Sequence, residues 1–150
     1  MDTIAEFLAA EHRGCDEVFA AAEETAQTGD LAGCQAYIRQ FQGAMEHHFQ
    51  REEEILFPAF EQASGNTMGP TRVMRLEHRQ IREILAEMSA ALAGGDLEDF
   101  LGQAETLLIL MQQHNIKEEQ ILYPMCDRFL GGVAESLIQA MRDLPANPPI

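Results

Sequence analysis

Residues 45–58 read MEHHFQREEEILFP and residues 111–124 read MQQHNIKEEQILYP, and the two stretches align without a gap at an offset of 66. Met45, His48, Glu52, Glu53, Ile55, Leu56 and Pro58 recur as Met111, His114, Glu118, Glu119, Ile121, Leu122 and Pro124. Outward from this block, at the same offset, Glu11-His12-Arg13 recurs as Glu77-His78-Arg79 and Gly29-Asp30-Leu31 as Gly95-Asp96-Leu97. Between Glu11 and Pro58, 15 of 48 positions match their partners. Chance rarely delivers that without a gap, so the chain contains an internal duplication.

Each copy reads as a helical hairpin. The first predicts a helix over 3–28, a break at Thr28-Gly29 with Asp30 capping the next helix, and a second helix from 31 to about 57. Pro58 lacks a donor and clashes with the preceding turn, so the helix is expected to kink or end near Leu56-Phe57, resuming as a short turn to Ala63. Residues 64–70, Ser-Gly-Asn-Thr-Met-Gly-Pro, form the linker. The second copy predicts helices over about 71–93 and 97–123, with Pro124 repeating the break. A short helix near 133–143 and an irregular tail follow. No strand pattern competes, so the fold class is all-α: an up-down antiparallel four-helix bundle made of two repeated hairpins (about 3–63 and 71–130) plus a short C-terminal helix, forming one domain over 1–150.

Composition narrows the function. Twenty-five Asp and Glu against ten Lys and Arg leave a formal charge of −15, which repels nucleic-acid phosphates and anionic lipid surfaces. The acidic face is expected to be solvated, or to dock a basic protein partner. Neither a basic, apolar leader nor a stretch of about 18 apolar residues is present, so a cytoplasmic, membrane-free protein is expected. Cys15, Cys34 and Cys126 form no C-x-x-C pair and are expected to be reduced. Cys15 shares a helix face with His12, where it packs or tunes a nearby metal.

The hairpins make the histidine spacing intelligible. Climbing from His12 to the turn covers about 24 Å and descending to His48 about 27 Å, at about 1.5 Å per residue. His78 and His114 repeat this path, so four imidazoles reach one layer of the bundle. Glu52 and Glu118 stand four residues after His48 and His114 and share their faces. Leu8, Cys15 and Phe19 are expected to share the face of His12, Phe41, Met45 and Ile55 that of His48, and Leu107, Met111 and Ile121 that of His114. The six candidates therefore point inward, where two uncompensated carboxylates would cost several kcal/mol each. Cations remove that cost. Imidazole and carboxylate without thiolate suit iron, manganese, zinc or copper, and two carboxylates able to bridge suit a dinuclear centre. Ferritin-like di-iron bundles use Glu-x-x-His, which this chain lacks.

The pattern H, H-x-x-x-E, H, H-x-x-x-E, with Ile-Leu-Phe-Pro and Ile-Leu-Tyr-Pro after the two glutamates, resembles the hemerythrin-like, or HHE cation-binding, family over residues 3 to about 130. The resemblance implies two non-haem iron ions with an oxo or hydroxo bridge, His12, His48, His78 and His114 as terminal ligands, and Glu52 and Glu118 bridging. Oxygen carriers of that family have a further histidine four residues after the one on the third helix, and this chain has Arg82 there. With that ligand absent, both irons keep open positions. The implied function is binding, storing or sensing oxygen or nitric oxide, the alternatives being a di-iron enzyme that processes peroxide or nitric oxide and an iron-handling protein. A metal-binding protein is expected before a dedicated enzyme. Arg82 either faces the site or turns outward to an acidic neighbour. His47 lies about 100° from His48 and is left outside the metal set. Glu53, Glu119, Glu11 and Glu77 are a step round their helices, facing solvent or hydrogen-bonding the ligands from outside, and Tyr37 is expected to pack.

Overall fold

The computed structural model describes residues 2–146. Helix α1 (Ile4–Gln27) starts where the Thr3 side chain accepts a hydrogen bond from the Glu6 N–H at 3.0 Å. The Asp127 carboxylate, from the far end of the chain, accepts those of Ile4 and Ala5 at 2.9 and 3.2 Å. Together they satisfy the donors that a first helical turn leaves open. At the other end Gly29 adopts φ of 80°, a conformation that costs glycine little, and Asp30 caps helix α2 (Leu31–Arg51) through the Gly33 N–H. The second copy repeats this turn with Gly95 at φ of 73° and Asp96 capping through the Asp99 N–H.

Helix α2 does not run regularly to Phe57. Glu52–Leu56 forms a π-helical turn, and α3 (Phe57–Ser64) continues beyond it with Pro58 in its first turn. The second half repeats the arrangement: α4 (Pro70–Ala93), α5 (Leu97–Lys117), a π turn at Glu118–Leu122 and α6 (Tyr123–Leu130). Proline is tolerated because its missing N–H falls where the widened turn has already interrupted the ladder. A 3-10 turn at Gly131–Val133 leads into α7 (Ala134–Asp143). Among the described residues there is no strand, and the four long helices form a bundle in which α1 packs most extensively on α2 and α4 on α5.

The π turns correct one expectation. Ile121 is 54% exposed, and Ile55 is only partly buried, whereas Leu56, Phe57, Leu122 and Tyr123 are buried. An extra residue per turn rotates everything after Glu52 and Glu118, so the inward face passes to the next residues along.

Two apolar clusters fill the bundle. One, at the hairpin-turn end, includes Phe19, Phe41, Phe49, Met88, Phe100 and Leu107. The other includes Ile4, Leu8, Leu56, Phe60, Leu122 and Met141. Between them lies a buried polar layer of His12, His48, Glu52, His78, His114 and Glu118. Cys15, Cys34 and Cys126 are buried and free, and burial pushes all three thiols up, so they pack as small apolar groups. Among the described residues, no helix is long and apolar enough to cross a membrane. The irregular tail expected at 145–149 falls mostly outside the described residues.

Candidate metal centre

The first hairpin brings His12 of α1 beside His48 of α2, their Nε2 atoms 3.1 Å apart. The second brings His78 of α4 to His114 of α5, ring centroids 5.0 Å apart. Glu52 and Glu118 open the two π turns and stand between the histidine pairs, both with no exposed surface. All six residues singled out from the sequence thus meet in one layer. His47 does not join them: its Nε2 lies 2.7 Å from the Leu144 carbonyl, closing the end of α7.

Donor atoms from Glu52, His78, His114 and Glu118 lie within 4.8 Å of one another, and so do donors from His12, His48 and Glu118. In the first group four buried atoms have no hydrogen-bond partner: Glu52 Oε1, His78 Nε2, His114 Nε2 and Glu118 Oε2. His78 Nε2 nonetheless approaches Glu52 Oε1 to 3.2 Å, without the alignment a hydrogen bond needs. Buried polar atoms are nearly always paired, so four unpartnered donor atoms gathered in one small buried volume fit a cation between them. Carboxylate and imidazole donors suit iron and its neighbours.

Around this layer runs a second ring of carboxylates, and it too repeats at the offset of 66. Glu11 accepts a hydrogen bond from His48 Nδ1 at 2.9 Å and Glu77 from His114 Nδ1 at 2.8 Å. Glu53 accepts from His78 Nδ1 at 2.7 Å and Glu119 from His12 Nδ1 at 2.8 Å. Every imidazole therefore has its outer nitrogen held by a carboxylate and its Nε2 directed at the centre, which sets the tautomer a metal ligand needs. Glu52 and Glu53 hold the two nitrogens of one imidazole, His78, and Glu118 and Glu119 those of His12. In a regular helix consecutive side chains diverge by about 100°; the π turn reduces that angle, which lets neighbouring glutamates reach one ring. A further ring of cations backs the carboxylates, with Arg51 on Glu11, Lys117 on Glu77 and Arg82 on Glu53.

Arg82 turns away from the centre. It pairs with Glu46 and Glu53 at 2.9 Å and stacks on the Phe49 ring at 5.1 Å. Its guanidinium and the hydrogen bond from His78 overcome burial and hold the Glu53 carboxyl down at about 2. In the first copy the equivalent residue is Asp16, beside Glu119 and a groove of about 620 Å³ between α1 and α5. The halves are thus similar at the centre and different at the rim.

Without metal, protons stand in for the cations. Burial opposes charge on His48, but Glu52 and Glu118 outweigh it and raise the imidazole to about 9. On His114 burial is likewise outweighed, here by Glu118 first, giving about 10. Glu52, despite burial, is held well below the usual carboxylate range by His48 and its hydrogen-bond partners. Ligand atoms must shed those protons when a metal enters.

One further group in the layer lies outside the six residues singled out from the sequence. The Tyr123 hydroxyl, fully buried, donates to Glu52 Oε2 at 2.7 Å and approaches Glu118 Oε1 at 3.0 Å. The signal was present as the one difference within Ile-Leu-Phe-Pro and Ile-Leu-Tyr-Pro. Tyr37, the other tyrosine, is partly exposed.

Comparison with known proteins agrees with this geometry. A family model for the hemerythrin HHE cation-binding domain matches residues 3–126. A 62-residue stretch is 37% identical to the iron-sulfur cluster repair protein YtfE of Edwardsiella ictaluri (strain 93-146), covering 41% of this chain and 28% of that protein. The shared stretch therefore spans under a third of the relative's length. No solved structure gives a significant match.

Proposed function

This chain belongs to the hemerythrin HHE cation-binding domain family, and from that premise we propose that it is a non-haem di-iron protein that binds or reacts with oxygen or another diatomic ligand such as nitric oxide. His12, His48, Glu52, His78, His114 and Glu118 would hold the two irons. The observation that carries this reading is the set of four buried donor atoms without hydrogen-bond partners, facing one another across the polar layer.

When bound, two irons at this centre would supply redox chemistry with small oxidising molecules. The chain's own contribution is orientation and exclusion of water. Glu11, Glu53, Glu77 and Glu119 fix the imidazoles from outside, and Phe49 and Phe57 stack on His78 with centroids at 3.8 and 5.7 Å. That apolar wall keeps water from one side of the site and suits an uncharged diatomic molecule. Arg82 supplies no donor to the centre, so fewer histidines are available than in the oxygen carriers. This favours reaction over reversible carriage.

An enzymatic or iron-handling role is the second reading, supported by similarity to a protein named for iron-sulfur cluster repair. The acidic surface suits a basic protein partner under either reading. Metal content per chain, followed by visible spectra of the anaerobically reduced protein before and after oxygen, tests the proposal. Two irons with a band that reverses under argon support binding, and two irons oxidised irreversibly support redox or nitric oxide chemistry. Absence of iron would overturn both.

A further inference from the structure

Aligning the two copies pairs Phe57 with Tyr123. Both side chains are fully buried, and both rings stack on a histidine at 5.7 Å, Phe57 on His78 and Tyr123 on His12. Only one carries an oxygen. That oxygen stands 3.1 Å from His12 Nε2, 3.4 Å from His48 Nε2, 3.0 Å from Glu118 Oε1 and 2.7 Å from Glu52 Oε2.

These separations match those among the donors themselves. His12 Nε2 is 3.1 Å from His48 Nε2 and 3.0 Å from Glu118 Oε1. Nitrogen and oxygen donors bound at about 2.1 Å and at right angles about one cation lie roughly 3.0 Å apart. The hydroxyl therefore stands where a further corner of one coordination shell would lie. A tyrosine that merely packed would leave its oxygen at one hydrogen-bond partner and its ring among apolar neighbours.

From this geometry, and resting on the di-iron reading above, we propose that Tyr123 is a further metal ligand, binding the iron at His12 and His48 as a phenolate. The bond formed is from the phenolate oxygen to iron. The O–H bond breaks, its proton leaves to solvent, and no electron is transferred. The two irons then differ. The one at His12 and His48 gains an anionic oxygen donor, while the one at His78 and His114 faces Phe57, which has none. The second iron keeps the open positions, under the wall of Phe49 and Phe57, and is where a small ligand binds.

The test is resonance Raman and visible absorption of the full chain reconstituted with iron and oxidised to the ferric state, with iron per chain measured on the same sample. Ferric phenolate gives a visible charge-transfer band and enhanced tyrosine ring modes. We expect both in the wild type and in Tyr37→Phe, which leaves Tyr123 as the sole tyrosine. We expect both to be lost in Tyr123→Phe with two irons retained, because Phe57 already fills the equivalent position with a phenyl ring. Should Tyr123→Phe not fold, the Tyr37→Phe spectrum alone decides. Two irons without tyrosinate modes in Tyr37→Phe would overturn the assignment and leave the di-iron reading standing. No iron at all would overturn both.

Discussion

Glu53 accepts a hydrogen bond from Nδ1 of His78 at 2.7 Å while standing on the opposite hairpin. The pair joins the two copies of the repeat, because Glu53 follows one expected iron ligand and His78 is another. Its mirror, Glu119 on His12, is 41% exposed and faces Asp16 rather than an arginine.

Glu53→Gln is therefore expected to weaken iron binding by about 10- to 100-fold, the usual effect of losing a carboxylate behind a histidine ligand. Glu119→Gln, which removes a more solvated partner, should cost less. Competition with a chelator measures both, and equal losses would remove the distinction between the halves.

Glu52→Ala and Glu118→Ala should each reduce iron content and abolish any dinuclear signature, since both carboxylates face both histidine pairs. His47→Ala should keep full iron content while losing about 1 kcal/mol of stability, the net worth of its hydrogen bond to Leu144. Loss of iron in the His47 variant would move that residue into the site.

Replacing Arg82 separates the rim from the centre. Its ion pairs are partly solvated, so Arg82→Ala should change stability by no more than about 1 kcal/mol. Iron affinity should nonetheless fall, because Glu53 loses the cation that steadies it. Arg82→His should add no ligand, and slower autoxidation in that variant would show that the position reaches the iron after all.

The metal-free protein should become less stable as pH rises from about 6.5 toward 10. His48 and His114 titrate at about 9 and 10 when folded, above an unfolded value near 6.5. Their contribution is complete below the unfolded value and is lost as pH climbs through the folded ones. The raised thiols act in the same direction. Thermal midpoints across the range should fall for the iron-free chain and change less for the iron-loaded one, where protons have already been displaced. A flat profile for the iron-free chain would contradict the pairing.

The six residues of the polar layer were legible because duplication writes each of them twice, and α-helical arithmetic brings His12, His48, His78 and His114 to one level. The hairpin turns were legible for the same reason, through Gly29-Asp30 and Gly95-Asp96. The π turns were not. An i to i+5 turn leaves no residue signature, and Ile55 and Ile121 look inward when counted on a regular helix. That miscount also left Glu53 and Glu119 open between solvent and a hydrogen bond to the ligands from outside, and the structure shows the second. The same miscount hid Tyr123, which a regular helix would place on the face opposite His114.

The widened turns also set backbone regularity against chemistry. Each inserts one residue that a straight helix would not carry, directly after the start of the turn, where a glutamate meets histidines on two hairpins. Shortening either segment by a residue would restore an uninterrupted ladder and swing the next glutamate and the aromatic beyond it out of place. Selection on the heat resistance of the iron-free chain would thus drift toward a smoother bundle with no metal in it, and only selection on the bound metal would keep the irregularity.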